Sequence, residues 1–253
     1  MADLFRLSDE QWAVVGRFMP TNQPGARRVD DRRVVSGILH MLRTGGRWRD
    51  VPAEYGPATT IYNRFNRWSR RGFWRAMLAA LAEAGWIVQT AAIDSTYTKA
   101  HRCAHGGKRG GAKNQAIGPS RGGPTTKIHV LSDVLGRPAV VHLTPGNASD
   151  VRTAPVVLAA APGRIRRLLA DKGYDADRLR AHLRASGVVP VIPGTRSRKR
   201  PIRHDNLRYK DRWRAEAVFC RLKDFRRVAT RYDKLARNYA STVALAAVVA
   251  FWC

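Results

Sequence analysis

The sequence predicts an α/β protein in which a small all-helical domain precedes a larger domain of alternating strands and helices. Three observations lead to this fold class. Apolar residues recur at helical spacing up to about residue 86, and short apolar or alternating runs separated by helices follow. With 44% apolar residues among 253, the chain can bury a packed core. We therefore expect domains at residues 1–86 and 87–253.

Four helices are predicted in the first domain. Ser8 and Gln11 have the spacing of a capping box at the start of the first helix. Asp30 or Asp31 begins the second helix, and Gly85 follows the fourth. The predicted helices cover residues 8–18, 30–44, 59–71 and 73–83.

The third helix has one apolar and one polar face. Its polar face carries side chains that can contact the edges of adenine and guanine, namely Asn63, Arg67 and Arg70. This predicts a helix-turn-helix-like unit whose third helix recognises DNA. The alternative is an ordinary three-helix bundle with a solvated basic face.

Five strands and four helices are predicted after residue 86. The strands are expected at residues 87–98, 125–132, 138–144, 164–170 and 188–192, and the helices at about 149–160, from 175, at 209–223 and at 239–253. The second and third strands should form a hairpin with Asp133 in its turn. Asp175 is interpreted as a helix cap.

Residues 99–124 form a Gly-rich, basic segment between the first two strands. We expect a mobile loop that becomes ordered on DNA, with disorder that has no function as an equal alternative. The run from His101 to His105 lacks a fourth ligand, so we do not expect a zinc site there.

The net charge of +27 and the isoelectric point near 11.4 indicate a polyanionic partner, nucleic acid before membrane. Residues 87–253 hold 32 Lys and Arg against 11 Asp and Glu, so the second domain should supply most of the affinity for phosphates. No N-terminal apolar stretch resembles a signal peptide, and the apolar run Val243–Cys253 is too short to span a bilayer. Three distant cysteines indicate free thiols. We expect a soluble, cytoplasmic protein.

One stretch without Pro or Gly, Tyr209–Lys223, is predicted to be a continuous helix with a charged face. At about 100° per residue, four functional groups fall on one side of it: Tyr209, Arg212, Glu216 and Lys223. An isolated carboxylate among cations on one helix face indicates a site.

The spacing Tyr-x2-Arg-x3-Glu-x6-Lys resembles the signature of DDE transposases from bacterial insertion sequences, in particular the family typified by insertion sequence five. Two aspartates complete the resemblance. Asp94 follows the apolar run Ala91–Ile93, and Asp171 follows Leu168–Ala170 and precedes Lys-Gly-Tyr. Three motifs in the expected order make the resemblance specific over nearly the whole chain.

The resemblance implies an RNase H-like fold with a mixed five-stranded sheet. It also implies that Asp94, Asp171 and Glu216 are catalytic and hold two Mg²⁺ ions, for which Mn²⁺ could substitute. Arg212 and Lys223 would bind DNA phosphates, and Tyr209 would stack on or hydrogen-bond to DNA near the cut. The alternative for Arg212 and Lys223 is surface ion pairing along the helix.

The function implied is transposition: cleavage of double-stranded DNA at the ends of the element and joining of the freed 3′-hydroxyls to target DNA. A homo-oligomer, at least a dimer on DNA, is expected, associated with the bacterial nucleoid. Two alternatives stay open at this point. One is an RNase H-like nuclease that hydrolyses without joining, and the other is a basic DNA-binding regulator without catalysis.

Overall fold

The computed structural model describes residues 3–21, 30–105 and 115–253. Four helices come first: α1 (Asp9–Val15), α2 (Asp31–Thr44), α3 (Ala58–Arg70) and α4 (Phe73–Gly85). The predicted capping box is confirmed, because the Ser8 side chain accepts from the Gln11 backbone and the Gln11 side chain accepts from the Ser8 backbone. Asp30 caps α2, and Gly45 ends that helix at a φ of 75°, which favours glycine.

The helix-turn-helix prediction is not confirmed. Residues 45–57 separate α2 from α3, and this connection contains two 3₁₀ turns, Trp48–Asp50 and Ala53–Tyr55. A helix-turn-helix unit joins its helices by a turn of about 3–4 residues. The helical periodicity predicted both helices but not the geometry of the chain between them.

The second part of the chain forms a mixed sheet, which confirms the α/β class. The strands are β1 (Thr90–Ala100), β2 (Gly118–Ser120), β3 (Gly123–Ser132), β4 (Pro138–Pro145), β5 (Arg167–Leu169), β6 (Val189–Val191) and β7 (Thr230–Arg231). Their order in the sheet is β2-β3-β1-β5-β6, with β4 pairing to β3 and β7 to β1. β3 lies antiparallel to β1, β2 and β4, whereas β1–β5, β5–β6 and β1–β7 are parallel.

The sheet has seven strands in the described residues rather than the five predicted. The additional strands, β2 and β7, are three and two residues long. Runs this short carry no detectable alternation, so the sequence pattern could not indicate them. β2 and the end of β1 fall within the predicted mobile loop, and residues 106–114 of that loop lie outside the described part.

The later helices are α5 (Asp150–Ala159), α6 (Asp177–Ala185), α7 (Asn206–Tyr209), α8 (Trp213–Lys223), α9 (Arg226–Ala229) and α10 (Ala236–Phe251). The predicted continuous helix over 209–223 is wrong in detail, because a 3₁₀ turn at Lys210–Arg212 separates α7 from α8. A 3₁₀ turn tolerates the same residues as an α-helix, so composition did not distinguish them.

Asp175 is not the helix cap that the sequence predicted. Ala176 occupies the N-cap position of α6, and the Asp175 side chain is fully buried between Arg180 and Arg198. These two arginines, which come later in the chain, donate to the Asp175 carboxylate in place of the backbone N–H groups of a helix N-terminus. Asp133, by contrast, lies in the β3–β4 turn as predicted and accepts from Leu135 and Arg137.

Helices cover both faces of the sheet. On one face α10 is buried, as predicted, in an apolar core shared with the N-terminal helices, to which Val35, Phe65 and Trp74 contribute. On the other face α5 and α6 pack against β1 and β5. Among the described helices, none is long and apolar enough to cross a membrane.

Candidate active site

Neighbouring parallel strands bring Asp94 and Asp171 to the same level of the sheet. β1 and β5 pair with Ala92 opposite Leu169, and each aspartate lies two residues further along in extended backbone. Because side chains alternate along a strand, both aspartates project from the face that carries Ala92 and Leu169. That face packs against Ala215 of α8, so it lies toward the helix that carries Glu216.

Arg212 connects two of the three carboxylates. Its guanidinium donates to Asp94 at 3.0 Å and also to Glu216, one helical turn further on. Asp94 and Arg212 are mostly buried, with 15% and 18% of their side chains exposed, whereas Glu216 is 61% exposed. Glu216 can therefore reorient in solvent, whereas Asp94 is fixed in the wall of the site.

The charges that act on Asp94 include those of the other two acids. Burial raises the pKa of Asp94, and the charges of Asp171 and Glu216 raise it further, against the lowering effects of the Ser95 N–H and Arg212. A carboxylate whose neighbours include two more carboxylates gains from a bound cation. Arg212 supplies one positive charge there.

Asp171 is held by the turn that follows it. One carboxylate oxygen accepts from the Gly173 N–H at 2.8 Å and so caps the 3₁₀ turn Lys172–Tyr174. A Cβ at position 173 would lie 2.9 Å from that oxygen, closer than side chains allow. The glycine therefore leaves the space that Asp171 needs.

The other residues of the predicted signature lie around the same face. Lys223 donates to the hydroxyl of Thr96, which is two residues beyond Asp94 on β1. Tyr209 packs beside the small apolar cluster under the site, and the Arg212 guanidinium lies 6.0 Å from its ring centre. In spite of the 3₁₀ turn, the four groups lie beside the face of the sheet that carries Asp94.

A metal ion would find oxygen ligands here. Within the described residues, no three His, Cys, Asp or Glu side chains already form a group that could hold a metal. The carboxylates of Asp94, Asp171 and Glu216 are nevertheless hard donors suited to Mg²⁺ or Mn²⁺. Arg212 now occupies the position between Asp94 and Glu216 that such an ion would compete for.

The three predicted DNA-contacting residues of α3 lie elsewhere. Asn63, Arg67 and Arg70 are exposed and line an open groove of about 470 Å³. None of the three carboxylates lines this groove. The structure thus brings Asp94, Asp171, Glu216, Tyr209, Arg212 and Lys223 together and keeps the α3 residues apart from them.

A polar cluster on the opposite face of β1 was not predicted. Ser95 donates to Asp150 at 2.7 Å, and the buried Lys127 donates to the other Asp150 oxygen at 3.1 Å. His129 is fully buried 3.5 Å from Asp150, and burial lowers the pKa of its imidazole to about 4. The signal was available, because Lys127 and His129 alternate with apolar residues on β3. The sequence predicted only that a helix begins near residue 149, and Ser149 is the cap of α5.

Two family models cover most of the chain. Residues 7–78 match a model described as "Putative transposase of IS4/5 family", and residues 89–251 match the "Transposase DDE domain". The second match covers more than half of the sequence. This chain belongs to the DDE transposase family. It is therefore a transposase, and its family depends on a divalent metal ion.

Curated relatives of this transposase come from bacterial insertion sequences. "Putative transposase for insertion sequence element IS6501" of Brucella ovis is 37% identical over 126 residues, which cover 48% of this chain and 94% of the relative. "Putative transposase for insertion sequence element IS402" of Burkholderia cepacia is 32% identical over 142 residues, covering 52% and 65%. The resemblance inferred from the motifs is thereby confirmed.

Solved transposase structures are only remotely similar to this transposase. The piggyBac transposase synaptic complex with hairpin DNA has a TM-score of 0.40 and 10% identity, covering 75% of this chain and 47% of the other. The transposase chain therefore spans about half the length of that protein. The Mos1 paired-end complex has a TM-score of 0.29 and 12% identity, covering 91% and 86%.

Proposed function

We propose that this transposase cuts DNA at the ends of an insertion sequence and joins the freed 3′-hydroxyls to target DNA through Asp94, Asp171 and Glu216. One observation carries the proposal: parallel pairing of β1 and β5 sets two aspartates on the sheet face that packs against α8, the helix of Glu216. The arrangement supports an RNase H-like active site. It supports the predicted division into residues 1–86 and 87–253, with catalysis in the second part.

The metal sites proposed are two Mg²⁺ positions, with Mn²⁺ as a substitute. When bound, ions held by these carboxylates neutralise charge on the scissile phosphate and activate water or a 3′-hydroxyl. Asp94 would hold metal together with Asp171, which lies on the neighbouring parallel strand, and with Glu216, to which Arg212 links it. Gly173 holds Asp171 in the orientation that this role requires.

Arg212 changes its partners during the proposed reaction, from carboxylates to a phosphate. Without substrate it pairs with Asp94 and Glu216, which limits the repulsion between the acids. With DNA and metal bound, its planar fork of donors turns to the oxygens of a phosphate. Lys223 and Tyr209 bind the neighbouring backbone, and Thr96 orients the Lys223 ammonium.

Recognition of the element ends is assigned to α3. Asn63, Arg67 and Arg70 are exposed on one side of this helix, opposite the buried Ile61, Phe65 and Trp68. Their donors match the edges of adenine and guanine in the major groove. Two copies of the chain are needed to hold two ends, so a dimer on double-stranded DNA is part of the proposal.

The test is a strand-joining assay with duplexes that carry candidate terminal repeats, target plasmid and Mg²⁺. We expect both nicked ends and joined product from the unchanged chain. Glu216→Gln should bind the ends but form neither product, whereas Asp211→Asn, an exposed carboxylate in the preceding turn, should retain both. Nicks without joined product would favour a nuclease, and metal-independent binding without nicks would favour a regulator.

A further inference from the structure

A basic segment lies between β6 and α7. We call residues 195–204 the basic strap. The strap contains five Lys or Arg residues, one His and no acid: Arg196, Arg198, Lys199, Arg200, Arg203 and His204. Such a segment repels itself unless other groups hold it.

One anchor of the strap is the buried carboxylate of Asp175. It accepts from the Thr195 N–H at 2.7 Å, from two nitrogens of Arg198 at 2.6 and 2.9 Å and from Arg180 at 2.9 Å. Arg198 also contacts Asp177 at 2.8 Å. These bonds fix the first turn of the strap to Asp175, which lies four residues after Asp171 in the sequence.

The other anchor lies at the far end of the strap. The His204 ring meets the Tyr209 ring edge-on at 5.3 Å, and Tyr209 in turn lies beside Arg212. Between the anchors the strap folds on itself, with Gly194 close to Ile202 and Arg198. The strap therefore runs from the Asp171 side of the active site to its Tyr209 side.

The charges of the strap divide into two groups. Arg198 is neutralised by Asp175 and Asp177 and serves as the tether. The remaining cations are exposed to solvent: Arg196, Lys199, Arg200 and Arg203. A row of solvated cations on a tethered backbone suits a regularly spaced polyanion better than a single small anion.

We propose that the basic strap binds the phosphate backbone of DNA beside the scissile position, and that Asp175 positions it through Arg198. This rests on the proposed function, because it takes the DNA at the three carboxylates as its ligand. Contacts of this kind set the register of a duplex without reading its sequence. The strap thus complements the base-reading role assigned to α3.

The first experiment measures binding of a random-sequence duplex over a series of salt concentrations, without metal. Lys199→Gln/Arg200→Gln should weaken binding roughly five- to tenfold and reduce the salt slope by about 0.9 for each lost phosphate contact. The matched control is Arg178→Gln/Arg184→Gln, which removes two exposed charges from α6 on the other sheet face. The control should change the slope little. Equal effects of the two double variants, or no effect of either, would overturn the proposal.

The positioning role of Asp175 is tested through its tether. The charge of Arg198 is already neutralised, so charge alone predicts little effect of Arg198→Gln on DNA binding. Tethering predicts a larger loss of affinity than for the exposed Arg184→Gln, with partial rescue by Arg198→Lys. Affinity is measured at a temperature well below the thermal unfolding midpoint of each free variant, so that a loss of binding does not reflect unfolding. A loss no larger than that of Arg184→Gln would reject the tether.

The two levels of the proposal can fail separately. Binding is read without metal, and cutting is read on the same preparations with Mg²⁺. A strap effect on binding in a chain that never cuts would reject the proposed function and leave the strap in place. Cutting by the unchanged chain, with no effect of the strap variants on binding, would reject the role of the strap and leave the proposed function in place.

Discussion

The guanidinium of Arg212 lies 3.0 Å from the carboxylate of Asp94, a residue 118 positions earlier in the chain. The same side chain also binds Glu216. Arg212 therefore occupies the space between two acids that are expected to hold metal. It reduces carboxylate repulsion in the free enzyme, and it must leave when a divalent ion enters.

Replacing Arg212 with Gln should tighten metal binding while it impairs cutting. Removing the competing cation leaves Asp94 and Glu216 free, so Mg²⁺ or Ca²⁺ affinity should rise about tenfold. Calorimetric titration in the absence of DNA measures this. Arg221→Gln on the same helix, where Arg221 donates to the Ala250 carbonyl, is the control and should change nothing. Weaker metal binding by Arg212→Gln would show that Arg212 does not compete with the ion.

Gly173→Ala should reduce the cutting activity more than the stability of the fold. The added Cβ would press on the Asp171 oxygen from 2.9 Å and displace it. We expect cutting to fall about 10- to 100-fold, with a loss of unfolding free energy below about 1 kcal/mol. Gly122→Ala is a suitable control, because only the Ser120 hydroxyl lies within 4.0 Å of its Cβ position. Full activity of Gly173→Ala would contradict the role of this turn.

Asp175→Asn should destabilise the chain although Asp175 is no part of the catalytic trio. The substitution leaves Arg180, with 2% of its side chain exposed, without a counter-charge. Urea unfolding should show a loss of about 3 kcal/mol. Asp177→Asn, whose carboxylate is 84% exposed, removes a similar ion pair at a cost of less than about 1 kcal/mol. Equal losses of unfolding free energy in the Asp175→Asn and Asp177→Asn variants would mean that burial does not strengthen the ion pairs of Asp175.

Stability should fall on mild acidification because of His129. Burial lowers the pKa of His129 to about 4, whereas an unfolded histidine has a pKa near 6.5. Below pH 6.5 the unfolded chain binds a proton at His129, whereas the native chain binds it only near pH 4. The free energy of unfolding therefore decreases as the pH falls from 6.5 to 4. When the pH is lowered from 7.5 to 5, the free energy of unfolding of the unchanged chain should fall by about 2 kcal/mol more than that of the His129→Asn variant. Parallel pH profiles would exclude this group as the cause.

The sequence indicated the candidate site residues more readily than some of the elements around them. Asp94 and Asp171 each follow an apolar run, and Glu216 is a lone carboxylate among cations on one helix face. Strands β2 and β7 and the 3₁₀ turn at Lys210–Arg212 were missed because such short segments have no period of their own.

The ion pairs were missed for a different reason. Asp175 and Asp150 find partners far along the chain, Arg198 and Lys127 respectively. Charge spacing along a sequence reports local pairs only, so a partner more than 20 residues away cannot be inferred from it. The same limit concealed the contact between Arg212 and Asp94, although both residues had been singled out.

The most direct test of the account compares Mg²⁺-dependent nicking by Asp94→Asn, Asp171→Asn and Glu216→Gln with nicking by Asp211→Asn and Asp224→Asn, two nearby exposed acids. All five variants should bind a terminal-repeat duplex comparably. We predict that the first three lose nicking on the order of a thousandfold, and that the other two keep it within a few-fold. Substantial nicking by any of the first three variants would contradict the three-carboxylate site.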